Sequence, residues 1–235
     1  MLAVFKREMH SYFTGVIGYV FLVLFLAAGG AVFCFSTLFS MSGSATTWFT
    51  VMLFMCAIIL PILTMKSFSE ERKTKTEQLF MTAPVSVASV IIGKFLASYV
   101  MFAGALMINS LYFLLLLPYT QFKFLLFLGQ LVALLLVGLV FISIGLFVSS
   151  LTENQLSAAI GAIAIIFGFL AISLLNSLIP ANYWIRYVFS ALSIFSRFSA
   201  FSSGYFDPAS IVYFLSVGAV FLYLTWRVYD RRRVG

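Results

Sequence analysis

The sequence predicts an all-α integral membrane protein with six transmembrane helices. Hydrophobic residues make up 63% of the 235 residues and charged residues only 9%, which is too little polar material to cover a soluble globule of this size. Apolar stretches long enough to cross a hydrocarbon core of about 30 Å recur along the chain. The stretch 124–148 is apolar on every helical face, unlike the alternating pattern of a β-barrel strand.

The first 14 residues predict an amphipathic helix that lies along the membrane surface. Its apolar stripe consists of Leu2, Phe5, Met9, Tyr12 and Phe13, and its polar stripe of Lys6, Arg7, His10 and Thr14. A helix with this distribution typically lies at the level of the lipid headgroups. His10 has no second metal ligand or catalytic partner near it in the sequence, so we assign it no function.

We place the six spans at residues 15–39, 48–65, 94–117, 124–148, 156–179 and 210–229. Trp48 begins the second span, where an indole typically anchors a helix at the membrane interface. We expect Lys94 at the boundary of the third span, with its ammonium group reaching toward water. Cys34 and Cys56 lie in separate apolar runs and are interpreted as packing residues.

The region between the fifth and sixth spans contains prolines and charges too closely spaced for another span. We predict a re-entrant or extracellular helical hairpin at residues 181–209. Under this topology most Lys and Arg residues lie on the side of both termini, whereas the other side has only Lys123, Arg186 and Arg197. The positive-inside rule therefore predicts cytoplasmic termini. The whole chain, 1–235, is interpreted as one transmembrane domain.

Several classes of function are disfavoured by what the sequence lacks. None of the seven acidic residues lies inside a predicted span, which disfavours a proton-coupled carrier or a cation-selective pore. Gly93 and Lys94 are followed by Phe95, so the Ser or Thr of a Walker A loop is missing. We find no catalytic, cofactor-binding or metal-binding set, and the basic residues beside the spans indicate orientation rather than nucleic-acid binding.

Residues 66–84 form the most charged segment, and we predict a cytoplasmic loop with two short helices. Ser67 with Glu70, and Thr74 with Glu77, each match the S/T-x-x-E capping box of a helix start. The second helix should end before Pro84, because the residue preceding a proline is disfavoured in helical geometry. The carboxylates alternate with basic residues, which favours a salt-bridged surface over a catalytic dyad. A short charged helix with an apolar tip suits docking into a partner protein.

The run EERKTKTEQLFMTAP at 70–84, followed by Gly93 and Lys94, resembles the cytoplasmic signature of type-2 ABC exporter permeases, particularly the group associated with bacterial gliding motility. The resemblance extends over nearly the whole chain. It implies that this segment is the coupling helix that contacts the ATPase, with a smaller second contact at 150–154. The implied contact residues are Glu70, Glu71, Arg72, Thr76, Glu77, Leu79, Phe80, Met81 and Glu153.

Two further positions bear on this resemblance. Lys75 stands where the family commonly has glycine, in a Gly-Thr-hydrophobic-Glu pattern, and glycine accepts left-handed backbone angles at a lower cost than lysine. Gly204 and Asp207 resemble the turn that precedes the last span of the family. We interpret both residues as structural rather than as substrate contacts.

The resemblance implies an ATP-driven exporter in the bacterial inner membrane. A second copy of the chain or a related permease would complete the substrate pathway, with spans one, two and five lining it. ATP and magnesium would be bound by partner ABC ATPase subunits and not by this chain, and accessory extracytoplasmic subunits are compatible with this arrangement. The residues do not identify the substrate or the direction of transport. A non-transporting membrane scaffold or assembly protein, or a small membrane enzyme, remains an alternative.

Overall fold

The computed structural model describes residues 1–39, 45–75, 86–116, 123–178, 193–202 and 207–234. Within these ranges every regular element is helical, and no residue forms a strand. The helices are α1 (Leu2–Thr14), α2 (Val16–Phe33), α3 (Ala45–Thr64), α4 (Lys66–Lys73), α5 (Val87–Ser110), α6 (Phe124–Leu151), α7 (Gln155–Leu178), α8 (Ile194–Ser202) and α9 (Pro208–Val234). The prediction of an all-α chain is confirmed.

Six helical segments are long and apolar enough to cross a membrane. They are Val16–Thr37, Ala45–Lys73, Val87–Leu115, Phe124–Leu151, Gln155–Ser173 and Pro208–Arg232. A π-helical turn, Cys34–Leu38, extends α2, and a 3₁₀ turn, Leu111–Leu116, extends α5. The prediction of six membrane-crossing helices is therefore confirmed, although several begin earlier or end later than the apolar stretches suggest.

Helix α6 is the central element of the fold. It packs against α3, α7 and α9 and against the short helices α4 and α8. Of its most apolar 18-residue stretch, 72% is buried within the chain. Helices in a bilayer associate through close packing, because lipid tails are as apolar as the side chains they would replace. Gly145 of α6 provides such a close approach, since a Cβ atom there would lie 2.1 Å from Thr64 Oγ1 of α3.

Trp48 is a core residue and not an interface anchor, so that expectation was wrong. Helix α3 begins at Ala45, which places Trp48 within its first turns and facing α2. The side chain is fully buried, and its indole N–H donates a hydrogen bond to the Gly29 carbonyl oxygen at 2.9 Å. A buried indole needs such an acceptor, because an unpaired N–H is costly in an apolar environment.

Two amide side chains also join helices within the bundle. Asn109 of α5 donates to the Phe25 carbonyl oxygen of α2 at 3.2 Å, and Gln130 of α6 donates to Thr46 Oγ1 of α3 at 2.8 Å. Both amides are fully buried. Interhelical hydrogen bonds of this kind stabilise membrane bundles and define which faces meet.

Asp207 caps the start of α9, which gives it the structural role predicted from the resemblance. Its two carboxylate oxygens accept hydrogen bonds from the Ala209 amide at 3.1 Å and the Ser210 amide at 3.2 Å. The hydrogen bond from the Ser210 hydroxyl lowers the pKa of this carboxyl group, with smaller contributions from the two amides and Arg197. Gly204 and most of the predicted hairpin, 181–209, lie outside the described residues, so its re-entrant course stays a prediction.

Replacing Gly145 with alanine tests the packing of α6 against α3. The added methyl group would overlap Thr64, and overpacking of this kind typically lowers the free energy of unfolding by about 1–3 kcal/mol. Gly104→Ala is the matched control, because no atom in the described part of the chain lies within 4 Å of its Cβ position. Denaturant unfolding in mild detergent measures both variants. Equal stability of the two would contradict the close contact.

Candidate functional site

Four segments meet at one end of the bundle, which we call the basic end. They are α1, α4, the last turn of α6 with the link at 152–154, and the end of α9. Side-chain contacts join them in pairs. Arg7 of α1 lies 3.3 Å from Glu71 of α4, Arg72 of α4 lies 3.0 Å from Glu153 of the link, and Arg232 of α9 donates to the Ser150 carbonyl oxygen of α6 at 3.0 Å.

The side chain of Lys94 is buried at the centre of this end, with 1% of its surface exposed. Its Nζ lies 3.1 Å from Glu8 Oε1 and 2.9 Å from Glu71 Oε1, and it donates to the Ser67 carbonyl oxygen at 2.7 Å. An ammonium group has three donors, and these three oxygens satisfy all of them. The expectation that Lys94 reaches toward water at a span boundary was therefore wrong.

Lys94 becomes buried because α1 and α4 close over the start of α5. Helix α5 begins at Val87, so Lys94 lies in its third turn rather than at its end. Gly93 allows α1 to approach closely, since a Cβ atom there would lie 3.0 Å from a Val4 methyl group. Farther along α1, the Tyr12 hydroxyl is hydrogen-bonded to Ser98 Oγ at 2.8 Å, and burial raises the pKa of this phenol.

The charges around Lys94 balance. Arg7 lies 3.1 Å from Glu8 and 3.3 Å from Glu71, so two cations face two carboxylates. We call Arg7, Glu8, Glu71 and Lys94 the charge cluster. Buried ions need such partners, because removing one of them leaves an uncompensated charge in a medium of low dielectric constant. The cluster therefore links α1, α4 and α5 into one unit.

Helix α4 is capped by another helix rather than by its own residues. The Ser149 hydroxyl of α6 accepts hydrogen bonds from the Phe68 and Ser69 amides, each at 3.1 Å. It also donates to the Met65 carbonyl oxygen at 3.1 Å. A hydroxyl group offers one donor and two acceptor sites, and all three are used at the break between α3 and α4.

The predicted capping box of Ser67 and Glu70 was wrong. Helix α4 begins at Lys66, and no side chain caps it from its N-cap position, so Ser67 lies within the first turn and not before it. Thr74 is the C-cap of α4, and its hydroxyl donates to the Glu70 carbonyl oxygen at 2.9 Å. Glu77, its predicted capping partner, lies outside the described residues.

Two arginines bind the carbonyl groups at the end of α6. Arg72 Nη1 donates to the Leu151 carbonyl oxygen at 2.7 Å, and Arg232 Nη2 donates to the carbonyl oxygen of Ser150. The last carbonyls of a helix have no partner within the helix and bear a partial negative charge. The end of α6 therefore holds α4 on one side and α9 on the other.

The structure brings together four of the predicted ATPase-contact residues. Glu70 is 39% exposed and pairs with Lys66 at 3.1 Å, and Glu153 is 66% exposed beside Arg72, which is 26% exposed. Glu71 is turned toward the charge cluster and is only 18% exposed. The remaining residues, Thr76, Glu77, Leu79, Phe80 and Met81, lie outside the described residues, so their contacts stay predictions.

Lys75 adopts the left-handed backbone conformation, with a φ angle of 58°. It follows the C-cap of α4, Thr74, and its amide donates to the Arg72 carbonyl oxygen at 3.1 Å. This is one of the two hydrogen bonds of the Schellman motif, whose left-handed position is usually glycine. Lysine therefore takes the geometry that glycine would accept at a lower cost, by roughly 1–2 kcal/mol.

Sequence reasoning missed three residues of this end: Glu8, Ser149 and Arg232. Glu8 is the only acidic residue of the N-terminal helix, and a lysine near a predicted span boundary was a signal that it needed a carboxylate. Ser149 and Arg232 gave no such signal, because their roles depend on which helix ends meet. Within the described ranges, no group of three or more His, Cys, Asp or Glu residues is arranged to hold a metal ion.

Comparison with known proteins gives one family match. A model of the family described as "ABC-2 family transporter protein" matches residues 44–234, a range that includes α3 to α9, Lys94 and the link at 152–154. No curated protein matches the chain closely enough to count as a relative.

Replacing Ser149 with alanine tests the capping of α4 by α6. The change leaves two amides and one carbonyl group without this partner, so we expect the free energy of unfolding to fall by about 1–3 kcal/mol. Ser150→Ala is the matched control, because among the described residues its hydroxyl bonds to the Phe147 carbonyl oxygen of its own helix and to no other helix. Denaturant unfolding in detergent measures the free energy of unfolding of both variants. A larger decrease for Ser150→Ala than for Ser149→Ala would refute the assignment.

Replacing Lys94 with methionine tests the charge cluster. The change leaves two largely buried carboxylates facing each other, and breaking a buried pair typically costs about 3–5 kcal/mol. We expect the triple variant that adds Glu8→Gln and Glu71→Gln to regain most of this stability, because the one member of the charge cluster that stays charged, Arg7, is 52% exposed to solvent. Denaturant unfolding measures the free energy of unfolding of the wild type, Lys94→Met and the triple variant. A triple variant less stable than Lys94→Met alone would contradict the paired-charge account.

Proposed function

The chain belongs to the ABC-2 transporter permease family and is a multi-pass membrane component of a transport system, and we propose that it is the permease subunit of an ATP-driven exporter. In this proposal it binds and hydrolyses no nucleotide. Partner ABC ATPase subunits, whose association the family implies, hold ATP and magnesium. The basic end of the bundle is the surface on which they dock.

The observation that supports this proposal most is the bridge made by Arg72. Its guanidinium group binds both the Leu151 carbonyl oxygen and the Glu153 carboxylate. The two segments implied to contact the ATPase are far apart in the sequence, yet this bridge holds them side by side. Together with Glu70, which is 39% exposed, they form an exposed charged face that suits electrostatic recognition by a partner.

The charge cluster provides a route by which movement of α4 would reach the membrane helices. Glu71 of α4 and Glu8 of α1 both bind Lys94 of α5. A displacement of α4 by the ATPase would therefore move α1 and the start of α5 with it, rather than bending α4 alone. Packed interfaces of this kind transmit rigid-body movement.

The pathway in this proposal forms between two permeases, either two copies of this chain or this chain and a related one. In both α2 and α7, only 28% of the most apolar 18-residue stretch is buried within the single chain. Apolar surface of these helices is therefore left for lipid or for a second permease. Helix α3 is more enclosed and would contribute outward residues such as Phe54 and Ile58, which are 41% and 43% exposed.

The orientation in this proposal follows from the basic residues. Arg7, Lys66, Arg72 and Arg232 all lie at the basic end. The positive-inside rule places such an end in the cytoplasm, where ATP is available. In this proposal the membrane is the bacterial inner membrane and the direction of transport is export, as the resemblance implies.

Copurification of the chain from its native membrane in mild detergent tests the proposal. We expect mass spectrometry to identify an ATPase with a Walker A loop, and the eluate to hydrolyse ATP. Glu77→Lys combined with Leu79→Asp should remove the ATPase while the permease stays monodisperse. Recovery of the chain alone and without ATPase activity, under several extraction conditions, would defeat the proposal and favour a scaffold or assembly protein.

A charge exchange tests the docking face more closely. Arg72→Glu should reduce the recovered ATPase by about tenfold, because two carboxylates would face each other across the bridge. The double variant Arg72→Glu with Glu153→Arg should regain much of the recovery. Lys123→Glu, a charge reversal at an exposed residue before α6, is the control. Unchanged recovery for Arg72→Glu would exclude this face as the docking surface.

A further inference from the structure

A cavity of about 470 Å³ lies at the basic end between α1, the start of α2 and α4. Arg7 of α1 and the Lys66–Glu70 pair of α4 lie at its rim. The side chains of these three residues are each more than a third exposed. Lys94 and Glu71 also line it, but they are buried in the charge cluster. The cavity is therefore a charged recess that opens beside the point where the chain enters its first span.

Among the residues that the structure describes, the lining of the cavity is electrically balanced. It contains three basic residues, Arg7, Lys66 and Lys94, and three acidic residues, Glu8, Glu70 and Glu71. A simple anion or a simple cation would meet as many repelling groups as attracting ones. A zwitterion can pair its negative group with a basic lining residue and its positive group with an acidic one. The Lys66–Glu70 pair is of the exposed i,i+4 type, which contributes little by itself, so these two groups can turn to a ligand at low cost.

The Ser67 hydroxyl is the second observation that indicates a ligand. Ser67 lines the cavity and is only 6% exposed, yet its Oγ has no hydrogen-bond partner in the described part of the chain. A buried hydroxyl without a partner destabilises the folded state. The Oγ atom itself has almost no accessible surface, so a ligand in the cavity reaches this hydroxyl when the Ser67 side chain turns to another χ1 rotamer. The hydrogen bond that the ligand then accepts would remove that cost.

The apolar surface next to the cavity indicates that such a ligand is a lipid. Ile17 and Gly18 of α2 form part of the lining. On the same helix, Val16, Val20 and Val23 share one helical face, with 76%, 42% and 65% of their surfaces exposed. A headgroup in the cavity would place its acyl chains along this face. The cavity also lies at the start of α2, which is the level of the lipid headgroups.

We propose that this cavity binds the phosphoethanolamine headgroup of a zwitterionic aminophospholipid. The ammonium group of the lipid pairs with Glu70, and its phosphate accepts hydrogen bonds from Arg7, Lys66 and the Ser67 hydroxyl. The methylated ammonium of a choline headgroup has no N–H to donate to Glu70, and a phosphatidylglycerol headgroup has no cation to offer it. The site therefore selects for the primary ammonium group.

Binding of short-chain lipids to the purified full chain in mild detergent tests this site. The probes are dihexanoyl phosphatidylethanolamine, phosphatidylcholine and phosphatidylglycerol, titrated by native mass spectrometry or thermophoresis. We expect the ethanolamine lipid to bind about tenfold more tightly than either of the others. Glycerophosphoethanolamine, which has no acyl chains, should bind more weakly than the ethanolamine lipid. Equal affinity of these two would overturn the lipid assignment in favour of a soluble ligand.

Two variants give the test its specificity. Glu70→Gln should lower the affinity for the ethanolamine lipid by about tenfold, because the charge opposite the ammonium group is lost. Ser67→Ala should lower this affinity several-fold but raise the melting temperature of the lipid-free protein by about 2–4 °C, since it removes an unpaired buried hydroxyl. A purely structural serine would not change stability and affinity in opposite directions.

Asp230→Asn is the matched control, because Asp230 is an acidic residue near the end of α9 and is not among the described residues that line the cavity. The affinity of this variant for the ethanolamine lipid should equal that of the wild type. Absence of saturable binding, or binding of phosphatidylglycerol as tight as that of the ethanolamine lipid, would overturn the proposal. Unchanged affinity in Ser67→Ala would also overturn it. The assay contains no ATPase, so its outcome is independent of the transport proposal.

Discussion

The burial of one ammonium group determines the arrangement of the basic end. Lys94 can lie within the helix packing only because Glu8, Glu71 and the Ser67 carbonyl group surround it. Those partners come from two other helices, so α1 and α4 must both close over α5 for the charge to be compensated. The position of the N-terminal helix against α4 and the cavity between these two helices both depend on this interaction.

Helix α6 plays the complementary part, because its end supplies the backbone and hydroxyl groups that the neighbouring segments need. Ser149 satisfies the amides at the start of α4, and the carbonyl groups of Ser150 and Leu151 accept from Arg232 and Arg72. The segments that we propose as the docking face are therefore attached to the most buried of the six described membrane-crossing helices. A displacement of that face would therefore act directly on α6 at the centre of the bundle.

The candidate site was only partly predictable. The residue types of 66–84 indicated a charged docking segment, and Lys75 was recognisable as a glycine-like position, which its φ angle of 58° matches. The direction of individual side chains was not predictable. Glu71 and Arg72 are neighbours in the sequence, but Glu71 binds Lys94 within the bundle and Arg72 binds Glu153 at its surface. Successive helical residues point about 100° apart, so the packing decides which of them faces inward.

The sequence by itself determined the helical class, the number of membrane-crossing helices and the basic character of one end, because each follows from local hydrophobicity and from the length needed to cross a bilayer. Only the tertiary structure decided that Trp48 and Lys94 are buried and that Ser149 rather than Ser67 caps α4. It also decided that Ser67 lines a cavity, with a hydroxyl that has no hydrogen-bond partner among the described residues. Those outcomes depend on pairings between residues far apart in the chain. In an apolar environment a polar group must find its partner wherever another helix provides one.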